Sequence, residues 1–104
     1  MSAETKLTGG NVNYYLANVP HPQREYQQPY QAECDDIADA LQLTPDEKDI
    51  FKEIWRTANA RLHNGKPGHK AIYGAEKIVH RAGRILRRLK LIEAEDANQP
   101  AKSD

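Results

Sequence analysis

Apolar residues recur with helical spacing in three stretches of this chain. Cys34, Ile37, Ala38 and Leu41 stand at i, i+3, i+4 and i+7, with Glu33, Asp35, Asp36 and Asp39 on the other sides. That pattern predicts a first amphipathic helix over 31–42. Thr44-Pro45-Asp46-Glu47 then carries a complete start signal, with Thr as N-cap, Pro in the first helical position and Glu at N3. The second helix is expected from Pro45 to about His63, burying Ile50, Phe51, Ile54, Trp55, Ala58 and Leu62. Asn64-Gly65 should stop it, the glycine taking the left-handed conformation. A third helix is expected from near Lys70 to about Ala94. Its stripe of Ile72, Ala75, Val79, Ala82, Leu86 and Leu89 is widened by Ile78, Ile85 and Ile92. So wide a stripe predicts contact on two sides, with its own core and with a partner chain.

The remaining sequence lacks such periodicity. Residues 1–12 are small and polar and are expected to be disordered. Residues 13–30 hold Pro20, Pro22 and Pro29 with four tyrosines, Tyr14, Tyr15, Tyr26 and Tyr30. Proline favours extended backbone, so an extended arm packing across its own domain or a neighbouring subunit is expected. The helical domain spans 31–95 and a flexible tail follows over 96–104. The predicted fold class is all-α, three main helices with an extended Tyr/Pro-rich N-terminal arm, in an oligomer.

Composition narrows the function classes. At 104 residues the chain forms one domain with a small core. The first ten residues lack the apolar stretch of a secretory signal, and nothing approaches a membrane span. The single cysteine precludes an internal disulfide framework, so a cytoplasmic setting without membrane partners is expected. Formal net charge is zero, but the charges are segregated: +9 over 52–90, −6 over 31–49 and −3 from residue 91 onward.

The basic stretch holds the most promising chemistry. Lys66 and Lys70 lie in a Gly/Pro turn before the third helix, whose N-terminus offers free N–H groups and partial positive charge to a phosphate. Arg56, Arg81 and Arg84 are expected to complete the anion site, although the loop is not a Walker A motif. Lys77, Arg81, Arg84 and Arg88 also form one helix face, which suits a nucleic-acid backbone or pairs with the acidic first helix. The neutral total charge disfavours a dedicated nucleic-acid binder. Glu33 with Asp36 and Asp46 with Asp49 have the i, i+3 spacing of helical Mg²⁺ sites, but capping and solvation account for the same residues. No metal or cofactor is expected, with Mg²⁺ the minority alternative. The histidines lack zinc spacing, and Cys34 reads as a core residue rather than a nucleophile. A binding role is expected over a catalytic one, with Tyr14 or Tyr26 stacking on a base.

Val12-Asn13, His21-Pro22, Asp36-Ile37 to Ala40-Leu41, Phe51-Lys52, Trp55-Arg56, Lys66 and Glu76-Lys77 stand in an order that resembles small tailed-phage accessory proteins. That group is mostly uncharacterised and includes a phage nucleotide-kinase branch. The resemblance covers about residues 12–90. It departs from the group's pattern where Asp49-Ile50 replaces an Asn before the Lys-x-x-Trp-Arg segment. It implies a phage protein acting in the host cytoplasm on nucleotides or on a host target, with His21, Lys52, Arg56 and Lys66 as binding residues. Three functions follow as expectations: binding of a phosphate-bearing nucleotide, for nucleotide handling or for sequestering a host defence signal; non-catalytic inhibition of a host enzyme or defence factor; and nucleic-acid binding.

Overall fold

The computed structural model describes residues 13–65 and 68–98. A 3-10 turn, Asn13–Tyr15, leads into β1 (Leu16–Val19) and, after a loop, β2 (Tyr30–Glu33). Three helices follow: α1 (Cys34–Ala40), α2 (Pro45–Arg61) and α3 (Ala71–Asn98). The protein is therefore mostly helical, with one small sheet. The expected disorder of residues 1–12 lies outside the described residues, as does the part of the expected tail beyond Asn98.

The segment read from its prolines as an extended arm contains an antiparallel hairpin. Leu16 pairs with Glu33 and Val19 with Tyr30, and the Gln31 amide donates to Asn18 Oδ1 at 3.0 Å across the strands. The three prolines lie between the strands, where a missing N–H interrupts no ladder. This pairing takes Tyr30–Glu33 away from the first helix, which shortens from the expected 31–42 to Cys34–Ala40. Glu33 becomes its N-cap, accepting from the Asp36 N–H at 3.1 Å.

α2 begins as its sequence dictates. Thr44 N–H donates to Glu47 Oε1 at 2.9 Å and Thr44 Oγ1 accepts from Glu47 N–H at 3.4 Å, a full capping box with Pro45 behind it. Its end differs from the expectation. The left-handed residue is His63, at φ 63°, rather than Gly65. His63 N–H bonds to Ala60 O and Asn64 N–H to Asn59 O, a Schellman motif. α1 closes the same way through Gln42, at φ 54°, with Leu43 N–H on Ala38 O. Gly65 serves a different purpose. A Cβ there would lie 2.5 Å from Ala60 Cα, so the loop after α2 passes too close to the helix for any side chain.

The apolar core is small. Among described residues only Cys34 and Ala38 are buried apolar positions, and they share that state with Asp46, Glu53 and Asn59. Asn59 fixes the hairpin to α2, its amide donating to Tyr14 O at 2.7 Å and Leu16 O at 3.3 Å. Phe51, Trp55 and Ala58 are only half-buried, and Ile54 and Leu62 are exposed, so the described residues leave most of the apolar face expected for α2 incompletely covered. The α3 stripe expected to face a core likewise turns outward, with Ile72 76% and Val79 71% exposed. Gly74, Lys77 and Arg81 face α2 instead, with Ile78 and Ile85 half-buried beside them.

Gly65→Ala should destabilise the fold by about 1–3 kcal/mol, because backbone must shift to admit the methyl group. Gln42→Gly should stabilise it by up to about 1 kcal/mol, by relieving a left-handed non-glycine residue. Urea unfolding followed by circular dichroism measures both, and a stabilising Gly65→Ala would contradict the close approach described.

Candidate functional site: a basic cleft at the start of α3

The loop that leaves α2 returns to begin α3 against the middle of α2, and a cleft of about 410 Å³ opens at that junction. Glu53 and Arg56 line it from α2, Gly68, His69 and Lys70 from the loop, and Tyr73 and Lys77 from the first turns of α3. Lys70 caps the helix through its carbonyl, which accepts from Gly74 N–H at 3.1 Å. The N–H groups of the first turn have no intrahelical acceptor and carry the positive end of the dipole.

Glu53 is the cleft's one carboxylate, and it is buried. Arg56 and Lys77 both bond to its Oε2, Lys77 at 3.0 Å. Arg56 also donates to Tyr15 Oη at 2.8 Å, tying the cleft to the hairpin. Gly74 makes this convergence feasible, since a Cβ at that position would sit 2.9 Å from Glu53 Oε1 and 3.3 Å from Thr57 Oγ1. Thr57 Oγ1 in turn lies 3.1 Å from His69 Nε2, holding the loop's imidazole at the rim. Three cations thus face one carboxylate. The exposed Lys70 ammonium has no hydrogen bond or ion pair with a described residue, so it can meet an anion. The exposed Tyr73 ring forms one wall, with Lys77 Nζ 5.6 Å from its centroid.

Burial alone would raise the Glu53 carboxyl. Hydrogen bonds and charge from Lys77 and Arg56 outweigh it and hold the group below the ordinary carboxylate range. Asp46, at the other end of the α2–α3 contact, behaves alike: burial is opposed and overcome by Arg81 and Arg84, both at 3.0 Å. Burial, then the neighbouring Asp35, pushes the Cys34 thiol up to about 11. The nucleophilic thiolate is therefore scarce at neutral pH.

Of the nine residues singled out in the sequence, the structure brings Arg56 and Lys70 together in the cleft, while Lys66 lies outside the described residues. Arg81 and Arg84 sit further along α3 on Asp46, with Arg81 also 2.9 Å from Asp49. Three residues of the basic row, Lys77, Arg81 and Arg84, thus pair with acids of α2 rather than with those of α1, one of the two alternatives for that row. Lys52 lies 3.8 Å from Asp35 and over the Tyr15 ring. Tyr14 stacks obliquely on Tyr15, whereas His21 and Tyr26 are exposed in the loop between the strands, away from the cleft residues. Both acid pairs have other partners, Glu33 as a cap and Asp46 with Asp49 on arginines. Among the described residues no three His, Cys, Asp or Glu side chains gather as a cation site would require.

Sequence reasoning missed Glu53, His69, Tyr73 and Lys77 as cleft residues. The available signal was Tyr73, the one tyrosine outside the N-terminal segment, one helical turn from both Lys70 and Lys77.

Glu53→Gln leaves Arg56 and Lys77 without their counter-charge. It should cost roughly 2–3 kcal/mol, less than for a fully enclosed pair because Lys77 reaches solvent. Asp46 and Glu53 both have depressed pKa values in the fold, so they add stability above the unfolded carboxylate range. That stability should be lost as pH falls from about 4 through their folded values. Chemical denaturation between pH 7 and pH 2 measures this, and a Glu53→Gln variant should show a shallower acid dependence.

Comparison with protein-family models, curated proteins and solved structures finds no match to this chain.

Proposed function

We propose that the cleft binds a phosphate-bearing nucleotide. The observation that carries this reading is Lys70, an uncompensated ammonium at a helix N-terminus, beside an Arg56–Glu53–Lys77 cluster and an exposed aromatic wall. A phosphate meets Lys70, the first N–H groups of α3 and the outer faces of Arg56 and Lys77, while a base stacks on Tyr73. The volume falls in the range of small-ligand clefts. The expected role is binding rather than catalysis, because the cleft residues supply no activated nucleophile. If the resemblance to tailed-phage accessory proteins holds, the role is nucleotide handling or the sequestration of a nucleotide signal of host defence in the host cytoplasm. Nucleic-acid binding by α3 has less support, since Lys77, Arg81 and Arg84 are each paired with an acid of α2.

A second reading, non-catalytic docking on a host protein, draws on a different surface. Ala17, Phe51, Ile54, Trp55, Ala58 and Leu62 line an almost wholly apolar depression of about 250 Å³, and the buried Trp55 indole N–H finds no acceptor among the described residues. Ile54→Asp with Leu62→Asp alters only exposed side chains there. It should abolish such docking while leaving the cleft intact.

Calorimetry and thermal shift with mono-, di- and cyclic nucleotides test the first reading. Dissociation constants at or below the millimolar range are expected. Lys70→Glu should remove binding without loss of stability. Tyr73→Ala should weaken nucleotides about tenfold but leave inorganic phosphate unchanged. No heat and no shift at millimolar nucleotide would sink the proposal.

A further inference from the structure

The outward face of α3 has no partner among the described residues, yet it carries a strict pattern. Ile72, Ala75, Val79, Ala82, Leu86 and Leu89 alternate at spacings of three and four. That is the a/d repeat of a helix that pairs with another helix along its length, since a core-facing helix needs only the looser 3.6 period. All six are exposed. Every residue from Leu86 to Asn98 is exposed as well, so nearly half of α3 gains little burial from the described residues, and isolated helix of that length is marginal in water. The charges of α3 also run against its own dipole, with Lys70 at the N-terminal end and Glu93, Glu95 and Asp96 near the C-terminal end.

We propose that α3 pairs antiparallel with α3 of a second copy of this chain, about a two-fold axis passing between His80 and Arg81. An isologous contact of this kind matches residue to residue reciprocally. In this register Ile72 meets the partner's Leu89, Ala75 meets the partner's Leu86, and Val79 meets the partner's Ala82. Two of these three layers set a small residue against a large one, which fills the seam evenly. On one flank Glu76 meets the partner's Lys90, and neither has an ion-pair partner among the described residues of its own chain. Gly83, within three residues of that axis, is a costly mid-helix glycine whose Cβ would meet only the far end of Arg87 among the described residues, so space remains beside it for a second helix. On the other flank Ile78 meets the partner's Ile85. The acidic end of each α3 comes beside the basic, positively polarised start of the other. A parallel pair would stack Ala75 on Ala75 and Ala82 on Ala82, would oppose Lys90 to Ile85, and would bring both acidic ends together.

The test begins with the unaltered protein. Sedimentation equilibrium at micromolar concentration should give twice the chain mass, and a monomer at tens of micromolar overturns the proposal. Leu86→Glu changes a side chain that touches no core and should yield a folded monomer by circular dichroism. A dimer that survives this change overturns the proposal too. Orientation is read by oxidising variants that each carry one added cysteine, with buried Cys34 left in place. Ile72→Cys mixed with Leu89→Cys should give a covalent dimer, and either variant alone should not. Self-crosslinking of Ile72→Cys as efficient as that of the mixture means a parallel pair and rejects the register. Glu76→Lys should weaken the dimer roughly threefold to tenfold, and adding Lys90→Glu should restore it. Failure to restore dimerisation overturns the pairing.

Discussion

The α2–α3 contact depends on carboxylates where most helix pairs depend on leucines. Glu53 and Asp46 are buried between the helices, and Lys77, Arg56, Arg81 and Arg84 close on them from both sides. Such pairs add little net stability, because desolvation offsets most of the attraction, but they penalise misalignment heavily. A slip of one residue along α3 would leave two carboxylates buried without cations. The ladder therefore sets the register of the helical hairpin, and the register places Gly74 against Glu53 and the start of α3 against the middle of α2. The basic cleft is a by-product of that alignment.

The same constraint explains where the apolar residues lie. The facing sides of α2 and α3 are given largely to ion pairs, and on α3 Ile78 and Ile85 are the half-buried large apolar residues. Ile54, Leu62 and the Ile72–Leu89 stripe turn outward. With only two apolar residues buried among those described, the described part of the chain has little hydrophobic free energy of its own. Its exposed faces are where further burial remains available.

Much of the helical layout was legible in the sequence. The Thr44 capping box fixed the start of α2 within a residue, because a cap is a local hydrogen-bonding pattern. The start of α3 was similarly plain from Pro67 and the apolar repeat that follows. The hairpin was hidden because Leu16–Val19 and Tyr30–Glu33 are short strands held by cross-strand pairing and by Asn59, more than forty residues away in sequence. The ends of α1 and α2 were misplaced because Gln42 and His63, not glycines, take the left-handed cap. At the cleft, Arg56 and Lys70 could be read from charge and position. Glu53 could not, since one acid in a basic stretch looks like surface dilution until the fold buries it. The strongest apolar stripe in the sequence turned out to be the face that the chain leaves uncovered.

Arg56 joins three parts of the molecule at once. It bonds Glu53 on its own helix, it donates to Tyr15 beside the hairpin, and it faces the cleft. An anion in the cleft competes with Glu53 for this guanidinium and for Lys77. Whatever the anion gains, the α2–α3 clamp and the Tyr15 contact must partly yield. Were the cleft to hold the proposed anion, its occupancy and the seating of the hairpin would be thermodynamically linked, and by reciprocity anything that grips the hairpin would alter the affinity of the cleft by the same factor.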